Sequence, residues 1–250
     1  MDFKVQAMTD LFPILFKAVG MTLKLSFSSA LAALVLAVTI ALIRHFKIKI
    51  LYGITGIYIS FFRGTPLLVQ LFLLYYGLPQ VFPVFINITA FGAAVLGLSL
   101  HFSAYMAETI RGALASVDKG QTEAGLSVGM TNLQVMKRIV IPQAIRVAVP
   151  SLVNTSIDML KSSSLAFTLG LAEIMAKTQL EAASSYRFLE SYLTVSIFYW
   201  VMVAVLERVQ RYLEKRLGRA YEQRSRDVKS RGIIQRFWRD KGIKGYKLPA

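Results

Sequence analysis

The chain has 250 residues, 55% hydrophobic and only 17% charged, with a mean hydropathy of +0.52 and a formal net charge of +15. It contains no cysteine, which excludes disulfides, thiolate metal sites, a Cys nucleophile and iron–sulfur clusters. Its two histidines, His45 and His101, are too few and too far apart to suggest a zinc site, so no metal is expected. A basic chain this apolar is expected against anionic membrane lipid rather than nucleic acid. Its charge is polarised: residues 207–250 hold 14 Lys/Arg against 5 Asp/Glu, a surplus of nine, and the other 206 residues a surplus of six.

A spanning helix needs about 20 mostly apolar residues. Five segments meet that pattern, and the fold class expected is an all-α membrane protein with five transmembrane helices. The spans lie at about 21–43, with Leu25 to Ile43 free of charge, then 51–78, 86–110, 139–160 and 189–206. Span two is interrupted by Arg63-Gly64-Thr65-Pro66, and span four carries Arg146 and Asp158. The start of the chain, with Asp2 and Asp10 and no basic stretch, does not read as a cleaved signal peptide.

Lys/Arg bias in the short loops sets orientation. The first loop holds Arg44, Lys47 and Lys49, the third Arg111, Lys119, Lys137 and Arg138, whereas residues 77–83 hold none. The N-terminus is expected outside and the C-terminus in the cytoplasm. Residues 1–220 form the membrane domain, and 221–250 a basic cytoplasmic tail for which headgroup contact and disorder both fit.

About thirty residues, 111–138, separate spans three and four, too many for a structureless connection. Asp118-x-x-Gln121 resembles a helix-capping box, Thr131-x-x-Gln134 fits one, and Gly129 between them can take a positive φ. Two short helices joined at a glycine are expected, either as a membrane-surface connector or as a displayed docking element. Residues 171–180 read as a short outer helix, and the last span should run on to a stop near Gly218.

Ionisable residues at membrane depth mark pathways by default. On a helical wheel Ser151, Asn154, Asp158 and Lys161 fall within roughly 80° of arc, and Ser162, Ser163 and Ser164 follow. His101, Tyr105 and Glu108 share a face of span three. An acid, a base, an amide and hydroxyls suit a zwitterion. Equally, Asp158 with Lys161 and Glu108 with Arg111 are spaced to pair with each other. Pro66 makes a break in span two, read either as a gate or pivot formed by Arg63, Gly64, Thr65 and Pro66, or as the start of the span with Arg63 snorkelling.

Glu123-Ala124-Gly125, then Gly129, then Ile139-x-Ile141-Pro142 resembles the EAA motif of bacterial ABC importer permeases, with Gly125 and Ile141 as mild departures. Phe62-Arg63-Gly64-Thr65-Pro66-Leu67-Leu68-Val69-Gln70, Tyr105-x-x-Glu108-x-x-Arg111-Gly112 and Lys161-Ser-Ser-Ser-Leu165 are similar to the polar amino-acid branch. The resemblance covers residues 15 to 220. It implies a type I (MetI-like) permease in the bacterial inner membrane. Its loop would couple to a dimer of separate ATPase subunits through Glu123, Ala124, Gly125, Gly129, Ile139, Ile141 and Pro142. It also implies a second permease chain, an extracytoplasmic substrate-binding protein and a polar amino acid as cargo; Asp158 and Lys161 together favour a neutral zwitterion such as cystine or glutamine. No P-loop, G-x-S-x-G or H-E-x-x-H is present, so the chain is read as no enzyme and without a cofactor, ATP and Mg belonging to the partner ATPase. The rival is a stand-alone secondary transporter or channel, which would be expected to show paired internal repeats.

Overall fold

The structure is a computed structural model that describes the backbone of residues 3–240 and the side chains of residues 3–216. Among these residues there is no strand. Helix α1 (Val5–His45) leads into α2 (Lys49–Gly64) and α3 (Leu67–Phe72), which continues through a π-helical turn into α4 (Leu78–Val81). Then come α5 (Ala90–Ala115), α6 (Lys119–Ser127) and α7 (Asn132–Val135). A second π-turn leads to α8 (Ile141–Ser162), and a 3-10 turn, Ser163–Leu169, precedes α9 (Ile174–Ser185) and α10 (Phe188–Asp240).

Both π-turns sit directly before a proline. Leu78 N–H reaches Leu73 O and Ile141 N–H reaches Met136 O, five residues back; Pro79 and Pro142 follow. Proline lacks the donor for a carbonyl four residues back and its ring collides with it, and the wider turn accommodates both defects.

The core is built on small residues. Ala33, Ala37 and Ala41 of α1 and Ala93, Ala94, Ala104 and Ala107 of α5 are all buried, which lets the two backbones approach closely. Leu25, Leu71, Leu98 and Met159 fill the same cluster from four helices. A second cluster, Leu11, Leu15, Ala18, Ile174, Val195 and Phe198, binds the first half of α1 to α9 and α10.

Three helices are long and apolar enough to cross a membrane: α1, α5 and the 188–216 part of α10. The pair Lys49–Gly64 and Leu67–Val81 meets the same test as a unit bent by 111°. Helix α8 does not meet it, because Arg146, Asp158, Lys161 and its amides and hydroxyls dilute the apolar signal.

Several helix ends differ from the expected ones. Helix α1 begins at Val5 and contains the expected span 21–43; Leu11, Leu15 and Ala18 of its first half pack on α9 and α10. Helix α5 runs to Ala115, so the loop starts later than 111. The short helix expected at 171–180 is Ile174–Ser185, since Gly170 (φ +82°) ends the preceding turn and Glu173 supplies the cap. Gly218 does not stop α10, whose backbone continues to Asp240. The part of the expected tail beyond 240 lies outside the described residues.

Candidate coupling loop and translocation face

The loop after α5 is organised by local devices. Asp118 caps α6, its Oδ1 accepting from Gly120 N–H at 2.7 Å; the reciprocal bond from Gln121 that a full capping box needs is not formed. Helix α6 ends in a Schellman turn: Met130 N–H donates to Gly125 O (3.1 Å), Gly129 N–H to Leu126 O (3.0 Å), and Gly129 has φ +82°. Thr131 then opens α7 with a complete box. Its hydroxyl accepts from Gln134 N–H (3.3 Å), and Gln134 Oε1 accepts from Thr131 N–H (2.9 Å).

Gly125 is where the two arms touch. A Cβ there would lie 2.8 Å from Val135 Cγ2 and 3.0 Å from Ile139 Cδ1. A methyl has no room, which gives the glycine at this position a physical reason. The same contact explains why Ile139 belongs with Gly125 across fourteen residues of sequence. Glu123, Ala124 and Pro142 stand exposed, Ile141 is half-buried, and Leu126, Val128 and Leu133 also present apolar surface to solvent.

The break in span two is real. Arg63 does not run free: its guanidinium lies over the Tyr105 ring, 5.4 Å from the centroid. Pro66 is extended, with ψ 135°, and the side chain of buried Gln70 folds back onto the break. His101 bonds to that glutamine at 3.0 Å, and its ring lies 5.2 Å from the Tyr105 ring, tilted by 42°. Below them Glu108 receives Arg111 at 2.8 Å and Arg44 at 3.6 Å, so the spacing-based pair exists and α1 joins it. Arg44 also covers the Tyr52 ring at 4.7 Å, which ties α2 to the same cluster.

On α8, Asp158 and Lys161 pair at 2.7 Å with side chains about half exposed. Asn154 is exposed one turn before Asp158. Ser163 and Ser164 hydroxyls are spent on the Leu160 and Lys161 carbonyls, and Ser162 ends the helix. His101 and Tyr105 form one group around Gln70 and Arg63, whereas Asn154, Asp158 and Lys161 form a second on the open face of the single chain.

Residues 31–219 match the family described as the binding-protein-dependent transport system inner membrane component. The chain belongs to this family. A probable amino-acid ABC transporter permease, PatM of Vibrio harveyi, is 57% identical to the permease over 221 residues, covering 88% of this chain and 99% of that protein. The L-cystine transport system permease TcyB of Bacillus subtilis is 39% identical over 209 residues, 83% of this chain and 88% of its own length. A crystal structure of an amino acid ABC transporter with histidines superimposes with a TM-score of 0.80 at 36% identity, over 86% of this chain and all of that one. The inward-facing methionine transporter MetNI shares the fold, with a TM-score of 0.71 at 17% identity over 83% of this chain and 98% of its own. The permease is therefore a multi-pass inner-membrane protein of the ABC importer class.

Two residues of the permease escape a reading by spacing. Gln70 could have been found: Pro66 deprives the Phe62 carbonyl of its donor, and a glutamine one turn later can supply one. Glu173 could not. Its carboxylate is fully buried, capping Ala176 N–H at 2.8 Å while accepting from Tyr199 OH at 3.2 Å and Thr22 OH at 3.4 Å. Burial raises its pKa above the usual carboxylate range, and the hydrogen bonds it accepts oppose that rise. Apart from the Ala176 amide its partners, Tyr199 and Thr22, lie far away in sequence, where no local signal reaches.

Proposed function

We propose that this permease is the membrane-spanning subunit of an ATP-driven amino-acid importer, coupled to a separate ATPase through α6, Gly129 and α7. The observation that carries it is the rigidly capped loop with its exposed apolar edge. A short helix held by a Schellman turn, a capping box and the Gly125 contact moves as a body, so it can transmit a push rather than absorb it. Leu126, Val128 and Leu133 are the kind of surface that a protein groove buries.

In this proposal α8 is a fifth span, its polar stripe facing a second permease chain across the path. The N-terminus lies outside and the cytoplasmic ends carry the basic loops. Residues 1–220 are the membrane domain. Two ATPase chains hold ATP and Mg, an external binding protein delivers cargo, and closure of the ATPases draws the paired loops together. Arg63 to Pro66 act as a pivot. His101, Tyr105, Asn154, Asp158, Lys161 and the following serines border the path. A neutral zwitterion is favoured because Asp158 and Lys161 offer one charge of each sign, and the L-cystine relative at 39% identity fits that preference. The stand-alone transporter is not favoured: its kin are subunits of binding-protein-dependent systems.

The test is a pull-down of the solubilised chain with the ATPase encoded beside it, wild type against Gly129→Asp and Glu123→Lys. The wild type should retain the ATPase and both variants lose it. Asp is strained at φ +82°, and Glu123 sits exposed in the first turns of α6. A wild-type chain that captures no ATPase would end the importer reading. In reconstituted transporter, Asp158→Asn should cut uptake roughly tenfold or more by removing a charge-assisted contact while leaving ATPase capture intact. Unchanged uptake removes Asp158 from the path.

A further inference from the structure

Pro66 cannot donate to the Phe62 carbonyl one turn before it, so a broken span in an apolar environment leaves acceptors bare. Gln70 supplies the donors. Its Nε2 reaches Phe62 O at 3.1 Å, Thr65 O at 3.1 Å and Thr65 Oγ1 at 2.7 Å, and Thr65 Oγ1 in turn donates to Phe61 O at 2.8 Å. Because Nε2 faces acceptors alone, Oε1 is the atom turned to His101, so Nδ1 of that histidine carries the proton and donates at 3.0 Å. With two N–H shared among three acceptors, one buried amide serves the bared carbonyls of the break and ties it to α5.

We propose that Gln70 is the positioning residue of the broken span: it holds the 111° bend between α2 and α3 and, through His101, registers that bend against α5. This rests on the importer reading for its role in transport, but the bend itself can be tested without it. Gln70→Met keeps the length and removes every donor. Pro66→Ala in the same background returns an N–H to residue 66, so the Phe62 carbonyl regains a backbone partner and the two halves can join as one straight helix.

The cysteine-free chain permits clean spin labelling at exposed Ile57 and Val81, one on each side of the break. Label distances are read in the assembled transporter in nanodiscs, with labelled chain diluted in unlabelled. The otherwise unaltered chain should give one narrow, short distance. Gln70→Met should broaden it, and Pro66→Ala with Gln70→Met should give a narrow but longer one. That double variant should recover the melting temperature yet import L-cystine, L-glutamine or L-arginine at less than a tenth of the wild-type rate. Unchanged distances in Gln70→Met, or full uptake by a straightened double variant, overturn the proposal. A chain that captures no ATPase but keeps the Gln70-dependent distance would sink the importer reading and leave this one standing.

Discussion

Glu173→Ala is expected to destabilise the permease by on the order of 3–5 kcal/mol, a large fraction of what holds an ordinary domain folded. The loss has identifiable parts. Removing a helix cap costs about 1 kcal/mol, and each buried donor left without an acceptor about 1–3 kcal/mol. Here the Ala176 amide, the Tyr199 hydroxyl and the Thr22 hydroxyl all lose Glu173. The cluster is the polar junction of α1, α9 and α10, so its loss should loosen the packing of these three helices first. Thermal unfolding in nanodiscs measures it, with Glu173→Gln, which keeps one acceptor, expected to lose roughly half as much. A melting temperature within a degree or two of wild type for Glu173→Ala would show that the junction contributes little.

The same residue gives a pH dependence with a definite sign. Its folded pKa is raised, so the folded state holds this proton more tightly than the unfolded chain does. Its stabilising contribution is complete below the unfolded value of about 4.3 and falls as pH rises through the raised folded value. The stability of wild type relative to Glu173→Gln should therefore decline as pH increases across that window, and a rising difference would contradict the assignment.

Gly125→Val is the second large effect. The first carbon added already meets Val135 Cγ2 at 2.8 Å, and two further methyls follow it into the space held by Ile139. Val135 cannot swing away, since it is itself buried at the end of α7. Overpacking of this kind costs about 1–3 kcal/mol locally. The loop is small, so that cost should part its two arms rather than unfold the membrane body. ATPase capture should fall more than tenfold with an unchanged melting temperature. Capture at the wild-type level would mean that the closed form of the loop is not what the partner binds.

These two sites lie at opposite ends of what the sequence discloses. The loop is written locally: Thr131 and Gln134 are three residues apart, Gly129 lies between two cap signals, and a reader of spacing finds all of them. The Pro66 break and the Asp158–Lys161 pair are legible for the same reason. The 111° angle is not, because it depends on how Gln70 and His101 meet across thirty-one residues. Nor is the early start of α1. Residues 5–20 carry Asp10, Pro13 and Lys17 ahead of the charge-free run, and their packing on Ile174, Val195 and Phe198 comes from residues far along the chain. The glutamate junction is the extreme case, with two of its hydrogen-bonding partners 26 and 151 residues away.

The unequal lengths of α1 and α5 have a consequence for the lipid. At about 1.5 Å per residue, the 41 residues of α1 reach about 60 Å and the 26 of α5 about 39 Å, against a hydrocarbon layer of about 30 Å. A thicker bilayer can be met by α1 from its reserve, by drawing in more of its N-terminal turns. Helix α5 has little to spare and is pinned at both ends, by the Thr89 cap on one side and the Arg44–Glu108–Arg111 cluster on the other. Of these two helices it is α5, the shorter, whose length leaves less room for a change in membrane thickness.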